Sequence, residues 1–243
     1  MQFVVDMHYF RAALASVKTH ASKDKKDTLG HSLTLSLRDN GDLLVFAENG
    51  LTMGMARVSV DQDEWDGELG EFSLTPDIAS TIIAAFTPSK TDWDVQLEVI
   101  VTFTVERQPE EKDIRVATIN IRRLGQLFGG DSYRVSTPVQ ERKDLQRTWN
   151  TLAHYVQSSS SKLPPVEFDS KRLAAFKAAE TVYGDGCTLA SAGGGQILVM
   201  VGSLFIGLMH VVKLELDDSA SKDFKATKRS WIAHVPMHLA IVS

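Results

Sequence analysis

The fold is decided by the first sixty residues, MQFVVDMHYFRAALASVKTHASKDKKDTLGHSLTLSLRDNGDLLVFAENGLTMGMARVSV (1–60). Phe3 to Val5 is a short apolar run that meets a capping residue at Asp6. Tyr9, Phe10, Ala13, Leu14 and Val17 then recur at helical spacing, the stripe of a helix that turns one side to a core. After a loop rich in lysine, His31 to Leu37 alternates, with leucines on one side and Ser32, Thr34 and Ser36 on the other. That pattern predicts a sheet with one buried face. Asn40-Gly41 and Asn49-Gly50 are tight-turn signals, because glycine supplies the positive φ such turns need. The stretch therefore reads strand, helix and an antiparallel three-stranded meander.

The same programme begins twice more. Phe72 to Leu74 leads into Thr75-Pro76, a helix cap followed by a proline whose missing N–H is not needed there. Ile78, Ile82, Ile83 and Phe86 form that helix's stripe, and Val95 to Arg107 and Ile114 to Arg123 alternate as long strands. Val166 to Phe168, Asp169 and a helix over 170–182 repeat the pattern, followed by strands over 187–192, 196–201 and 204–214. Tyr133 with Thr137-Pro138 offers a fourth head, but no meander follows it. The reading is α+β: repeated βαβββ units, with long antiparallel sheets carrying helices on one face.

Residues 140–157 read as a polar helix with Leu145, Trp149, Leu152 and Val156 in register, and Ser158 to Pro165 has linker composition. The expected organisation is a first domain over 1–140, a connector over 141–165 and a shortened second domain over 166–243. A last strand is expected over 231–239.

Composition narrows the function. The chain of 243 residues carries 26 Lys and Arg against 31 Asp and Glu, a net charge of −5. An acidic body argues against nucleic-acid binding over the whole surface and leaves room for a local basic face. Ile197 to Val212 has no formal charge, but it is short of the twenty or so residues a spanning helix needs and contains Gly202-Ser203. Two strands around a tight turn explain it. The lone cysteine, Cys187, forbids an internal disulfide, fits a reducing cytoplasm and is expected to be an inert core thiol.

Catalytic signals are scarce. None of the common nucleophile, zinc-protease or phosphate-loop motifs occurs. His234 and His238 are interrupted by Pro236, and the acidic run Asp61, Asp63, Glu64 and Asp66 lacks the spacing of a calcium loop. No cofactor or metal is expected, and the protein is read as a non-enzyme. The cations say more. Arg11, Lys18, Lys23, Lys25 and Lys26 lie on the first helix and its loop, and Lys171, Arg172 and Lys177 on the third. Two pseudo-equivalent cationic helices point to a face that meets phosphates without reading bases.

At this point residues 1–60 resemble the N-terminal module of bacterial β sliding clamps, the processivity factors of DNA polymerases. The resemblance rests on MQFVVD, F-x-x-AL-x-x-V and the strand series ending Asn49-Gly50-Leu51 to Arg57-Val58. Tyr133 to Thr137 with Asp144-Leu145 and Trp149 is similar to that family's passage between domains. Ala233-His-Val-Pro-Met-His-Leu239 looks like its closing strand. The chain holds about two domains where that family has three. The resemblance implies a homo-oligomeric ring, with a trimer favoured, that encircles double-stranded DNA without sequence preference. The eight cations named above would face the DNA. It implies that DNA polymerase and clamp loader insert short apolar peptides in a pocket at Val235, Pro236, Met237 and Leu239, near the connector. The alternatives are a clamp-fold scaffold that does not encircle DNA, and a small hydrolase or transferase with an unrecognised site.

Overall fold

The computed structural model describes residues 1–88, 94–107, 113–125, 131–140, 145–159, 166–167 and 170–213. The first unit comprises β1 (Gln2–Asp6), α1 (Met7–Val17), β2 (Leu33–Leu37), β3 (Asp42–Glu48) and β4 (Thr52–Ser59). The second comprises β5 (Gly70–Leu74), α2 (Pro76–Ala85), β6 (Gln96–Glu106), β7 (Ile114–Arg123) and β8 (Ser132–Pro138). After a connecting helix, α3 (Leu145–Ser158), the third unit runs β9 (Val166–Glu167), α4 (Ser170–Ala174), α5 (Lys177–Tyr183), β10 (Cys187–Gly193), β11 (Gln196–Val201) and β12 (Phe205–His210). A short β13 (Val212–Lys213) pairs with β9.

The first two helices start at the capping residues expected of them, while the third expected cap, Asp169, lies outside the described residues. The Asp6 carboxylate accepts from the backbone N–H of His8 at 2.7 Å and of Tyr9 at 3.0 Å. Thr75 caps α2 through the N–H of Ile78, with Pro76 at the first turn. These bonds satisfy donors that a helix leaves open at its N-terminus. The third helix is not continuous. It breaks at Ala175 and Phe176, where Phe176 turns its ring wholly into the core.

The units exchange strands. The first strand of each of the first two units joins the meander of the other, so β1 pairs with β6 and β5 with β2. One sheet is thus β1-β6-β7-β8. The other is seven-stranded, β10-β11-β12-β4-β3-β2-β5, and crosses from the third unit to the first through an antiparallel β12–β4 ladder. Residues 197–209 are indeed two buried strands, joined by a turn with Gly202 at φ 53°. No helix among the described residues is long and apolar enough to cross a membrane.

Helices α1, α2 and α5 share one core with the leucine side of the sheet, and α1 packs against both of the others. The other side of β2 departs from the expectation. Thr34 and Ser36 are buried as well, so both faces of this strand are covered. Across this face runs α3, where Leu152 joins Ala190, Ala192, Leu198 and Leu208 in a second cluster, and the Trp149 ring meets Phe46 edge-on at 5.1 Å. A helix that read as a polar connector is a lid on the outer face of the sheet.

Cys187 is the clearest correction. It is exposed, not a core thiol, because it opens β10 at the margin of the sheet. Its pKa is raised, first by partial burial and then by the charge of Glu180, which disfavours the reactive thiolate.

Candidate functional site: the helical layer and the grooves of the outer face

On the helical side, the cations read from the sequence fall into two groups. Arg11 and Lys18 are not turned straight out from α1. They reach sideways to α2, where Arg11 Nε donates to the carbonyl of Ile83 at 3.0 Å and Lys18 Nζ donates to Ser80 Oγ at 3.2 Å. Ile83 lies in the last turn of α2, where unpaired carbonyls and the negative end of the helix dipole favour a cation. Partial burial lowers the Arg11 pKa from its usual value. These two side chains clamp α1 to α2.

Lys23, Lys25 and Lys26 occupy the exposed loop after α1, and Lys25 lies 3.6 Å from Asp77 at the start of α2. Lys171 and Lys177 are exposed on α4 and α5, while Arg172 reaches back to donate to the carbonyl of His210 at 2.7 Å. Within Pro76–Ala85 the second helix carries no lysine or arginine. Lys23, Lys25, Lys26, Lys171 and Lys177 are thus exposed, and Arg11, Lys18 and Arg172 make hydrogen bonds to neighbouring elements.

Beneath the helices, the seam between the third and first units is closely fitted. Gly207 of β12 is opposite Gly54 of β4. The space left by the two missing side chains is filled by rings: a Cβ on Gly54 would lie 2.4 Å from His20 Cδ2, and one on Gly207 2.6 Å from Phe176. His20 is wholly buried between Phe176 and Phe205, with Nδ1 3.1 Å from Thr52 Oγ1. Burial without a charge partner pushes its pKa down to about 3, so the ring is neutral at ordinary pH.

On the opposite face, grooves flank α3. One, of about 350 Å³, is lined by Leu44, Met55, Trp149, Leu152, Val156 and Ile206, with Arg38 at its margin. Among the described residues the buried Trp149 Nε1 has no hydrogen-bond acceptor. The other, of about 330 Å³, lies by Leu51, Met53, Tyr155 and Leu208. The sequence named Trp149, Leu152 and Val156 as a stripe but gave no sign of what the stripe would meet. The pocket residues Val235, Pro236, Met237 and Leu239, with His234 and His238, lie outside the described residues. Among the described residues no group of His, Cys, Asp and Glu could hold a metal ion.

No protein-family model matches the sequence, and no curated protein matches it. Solved structures do match the fold. The DNA polymerase III β subunit of Thermotoga maritima aligns with a TM-score of 0.55 and 10% identity, covering 90% of this chain and 66% of that one. The DNA polymerase sliding clamp of Pseudomonas aeruginosa aligns at 0.57 and 10% identity, over 88% and 67%. That of Bartonella birtlesii aligns at 0.56 and 10%, over 91% and 67%. The chain spans about two thirds of the length of these structures and shares the sliding-clamp fold.

Proposed function

We propose that this protein is a sliding-clamp-like processivity factor, a non-enzymatic ring that encircles duplex DNA in the cytoplasm and tethers replication proteins. The observation that carries this reading is the helical layer. Three helices pack together, α1 against both α2 and α5. Lys23, Lys25, Lys26, Lys171 and Lys177 are exposed on the loop after α1 and on α4 and α5 in a chain of net charge −5, the makings of a local basic face. Such a face holds phosphates by charge alone and permits sliding, since it makes no base contacts. The shared fold with bacterial clamps supports the same reading.

Tethering requires a receptor for a partner. The groove beside α3 supplies an apolar floor and a guanidinium, that of Arg38. A short apolar peptide fits that chemistry: its apolar side chains lie on the floor and an acidic group meets Arg38. The C-terminal pocket at Val235, Pro236, Met237 and Leu239 remains part of the proposal on the resemblance alone.

The test is topological. The protein should stay on a closed circular duplex and leave it when the circle is cut. Changing Lys23, Lys25, Lys26, Lys171 and Lys177 to glutamate should abolish retention while the far-UV spectrum stays native. Loss from circles and linear DNA alike in the unchanged protein would refute encirclement. A second reading, a clamp-fold scaffold that does not encircle DNA, is favoured by the lack of cations on α2 and by the engagement of Lys25 with Asp77. Peptide binding in the α3 groove without retention on circles would establish it.

A further inference from the structure

The sheet β1-β6-β7-β8 turns Leu97 and Val99 of β6, and Ile119 and Ile121 of β7, to the core shared with the helices. Side chains alternate along a strand, so Glu98, Ile100, Asn120 and Arg122 lie on its other face. The ladders set that face in rows. One row runs Val4, Glu98, Arg122, Ser132, and the next Gln2, Ile100, Asn120, Arg134. All of these but Val4 line a hollow of about 490 Å³.

Glu98 is the unusual residue of this face. Its side chain is only 8% exposed, although it carries a carboxylate in the middle of a sheet. One oxygen accepts from Gln2 Nε2 at 3.0 Å and from Arg122 Nη2 at 3.1 Å, and the other contacts Arg122 Nε. Burying a carboxylate is unfavourable, and an apolar pair of similar volume often stabilises a fold as well or better. What Glu98 achieves is orientation. It holds one side of the Arg122 guanidinium by two nitrogens and leaves Nη1 and the second N–H of Nη2 to other acceptors. The Arg122 side chain is 62% exposed, so this end of the fork is accessible. A guanidinium fixed in one plane grips a carboxylate through two parallel bonds with little further loss of freedom. Arg134, exposed on β8, is its diagonal neighbour across the ladder. Two cations so placed repel unless an anion lies between them.

We propose that this hollow is a docking site for an acidic peptide segment of a partner protein, with a side-chain carboxylate bridging Arg122 and Arg134. Asn120 and Ser132 supply further donors beside the pair, and Ile100 an apolar surface for the methylenes of a glutamate. The hollow has room for more than a lone inorganic anion, and its two forks suit planar carboxylates. Glu98 is a positioning residue: it is screened by Arg122 and acts on the ligand only through that side chain. The site lies on the face turned away from the helices, apart from the exposed lysines, and stands whether or not the chain encircles DNA.

The experiment is fluorescence anisotropy of labelled hexaglutamate on the full chain at low salt, with inorganic phosphate and a short DNA duplex as competitors. Arg134→Ser should weaken binding about tenfold, the loss of one charge-assisted contact. Lys171→Gln with Lys177→Gln should leave it unchanged. Glu98→Leu is the decisive variant. It makes the protein less acidic, so attraction by charge alone would tighten binding, whereas loss of the brace should weaken it about threefold. In the native protein the Arg122 Nε–H should give an NMR resonance protected from exchange with water, and Glu98→Leu should abolish that protection. Arg134→Ser is a surface change, so the test stands even if Glu98→Leu does not fold. No binding of hexaglutamate, binding indifferent to Arg134→Ser, binding unchanged or tightened by Glu98→Leu, or binding lost with the two lysines would overturn the proposal. So would displacement of the peptide by phosphate or duplex at matching concentration, the mark of a phosphate site.

Discussion

His20 should make the protein acid-sensitive in a defined window. In the native state its ring is wholly buried between Phe176 and Phe205, and its pKa falls to about 3. In the unfolded chain an ordinary histidine titrates near 6.5. Between these values the unfolded state holds a proton that the native state refuses, so stability rises with pH across the window and is lost as pH falls below about 6.5. At about 1.4 kcal/mol for each pH unit, acidification from 6.5 to 5 should remove about 2 kcal/mol through this group alone. The assay is urea unfolding at about pH 7 and about pH 5, on the native protein and on His20→Gln. Other titrating groups contribute to both proteins, so the difference between the two losses isolates His20. The glutamine variant starts less stable, because it gives up the ring packing over Gly54 and Gly207, but it should lose about 2 kcal/mol less on acidification. Equal losses in both proteins would refute a neutral, solvent-excluded His20.

Two further outcomes follow from the same geometry. Gly207→Ala forces a Cβ to 2.4 Å from the Met53 carbonyl and against Phe176, so the β12–β4 seam should weaken by about 1–3 kcal/mol in chemical denaturation. Asp6→Ala deprives α1 of both bonds to its cap and should cost about 1 kcal/mol, seen as a lower urea midpoint with an unchanged slope.

Local chemistry made the elements legible. Asp6 and Thr75 announced helix starts, Asn40-Gly41 and Asn49-Gly50 the hairpins, and the alternation from Val95 to Arg123 the long β6–β7 pair. The unit pattern was visible because each unit repeats the same local order. What the sequence could not disclose was pairing between units. Nothing in Thr52–Ser59 or Phe205–His210 marks those strands as partners until Gly54 and Gly207 are set opposite each other. The burial of Thr34 and Ser36 was hidden for a related reason: their alternation with leucine is that of a half-exposed strand, and it does not show what lies over the second face. Cys187 misled because an apolar strand was taken to bury its first residue, whereas burial in β10 begins at Ala190.

Charge on the helical layer separates into two roles with different responses to salt. Arg11 acts within a turn of the C-terminus of α2, on a carbonyl 3.0 Å away and partly out of solvent, where screening is weak. Lys18 likewise spends a hydrogen bond on Ser80. Removing either should loosen α1 from α2 at any ionic strength. Lys23, Lys25, Lys26, Lys171 and Lys177 are exposed, and whatever they bind they bind through long-range attraction that salt suppresses. Under the proposed function, the slope of log affinity against log salt counts phosphates neutralised, about 0.9 for each. Those five lysines should therefore flatten the slope when replaced, whereas Arg11→Gln should lower the urea midpoint and leave the slope alone. A slope that falls with Arg11 as it does with Lys177 would show that the α1–α2 clamp also faces the DNA, contrary to the separation drawn from its contacts.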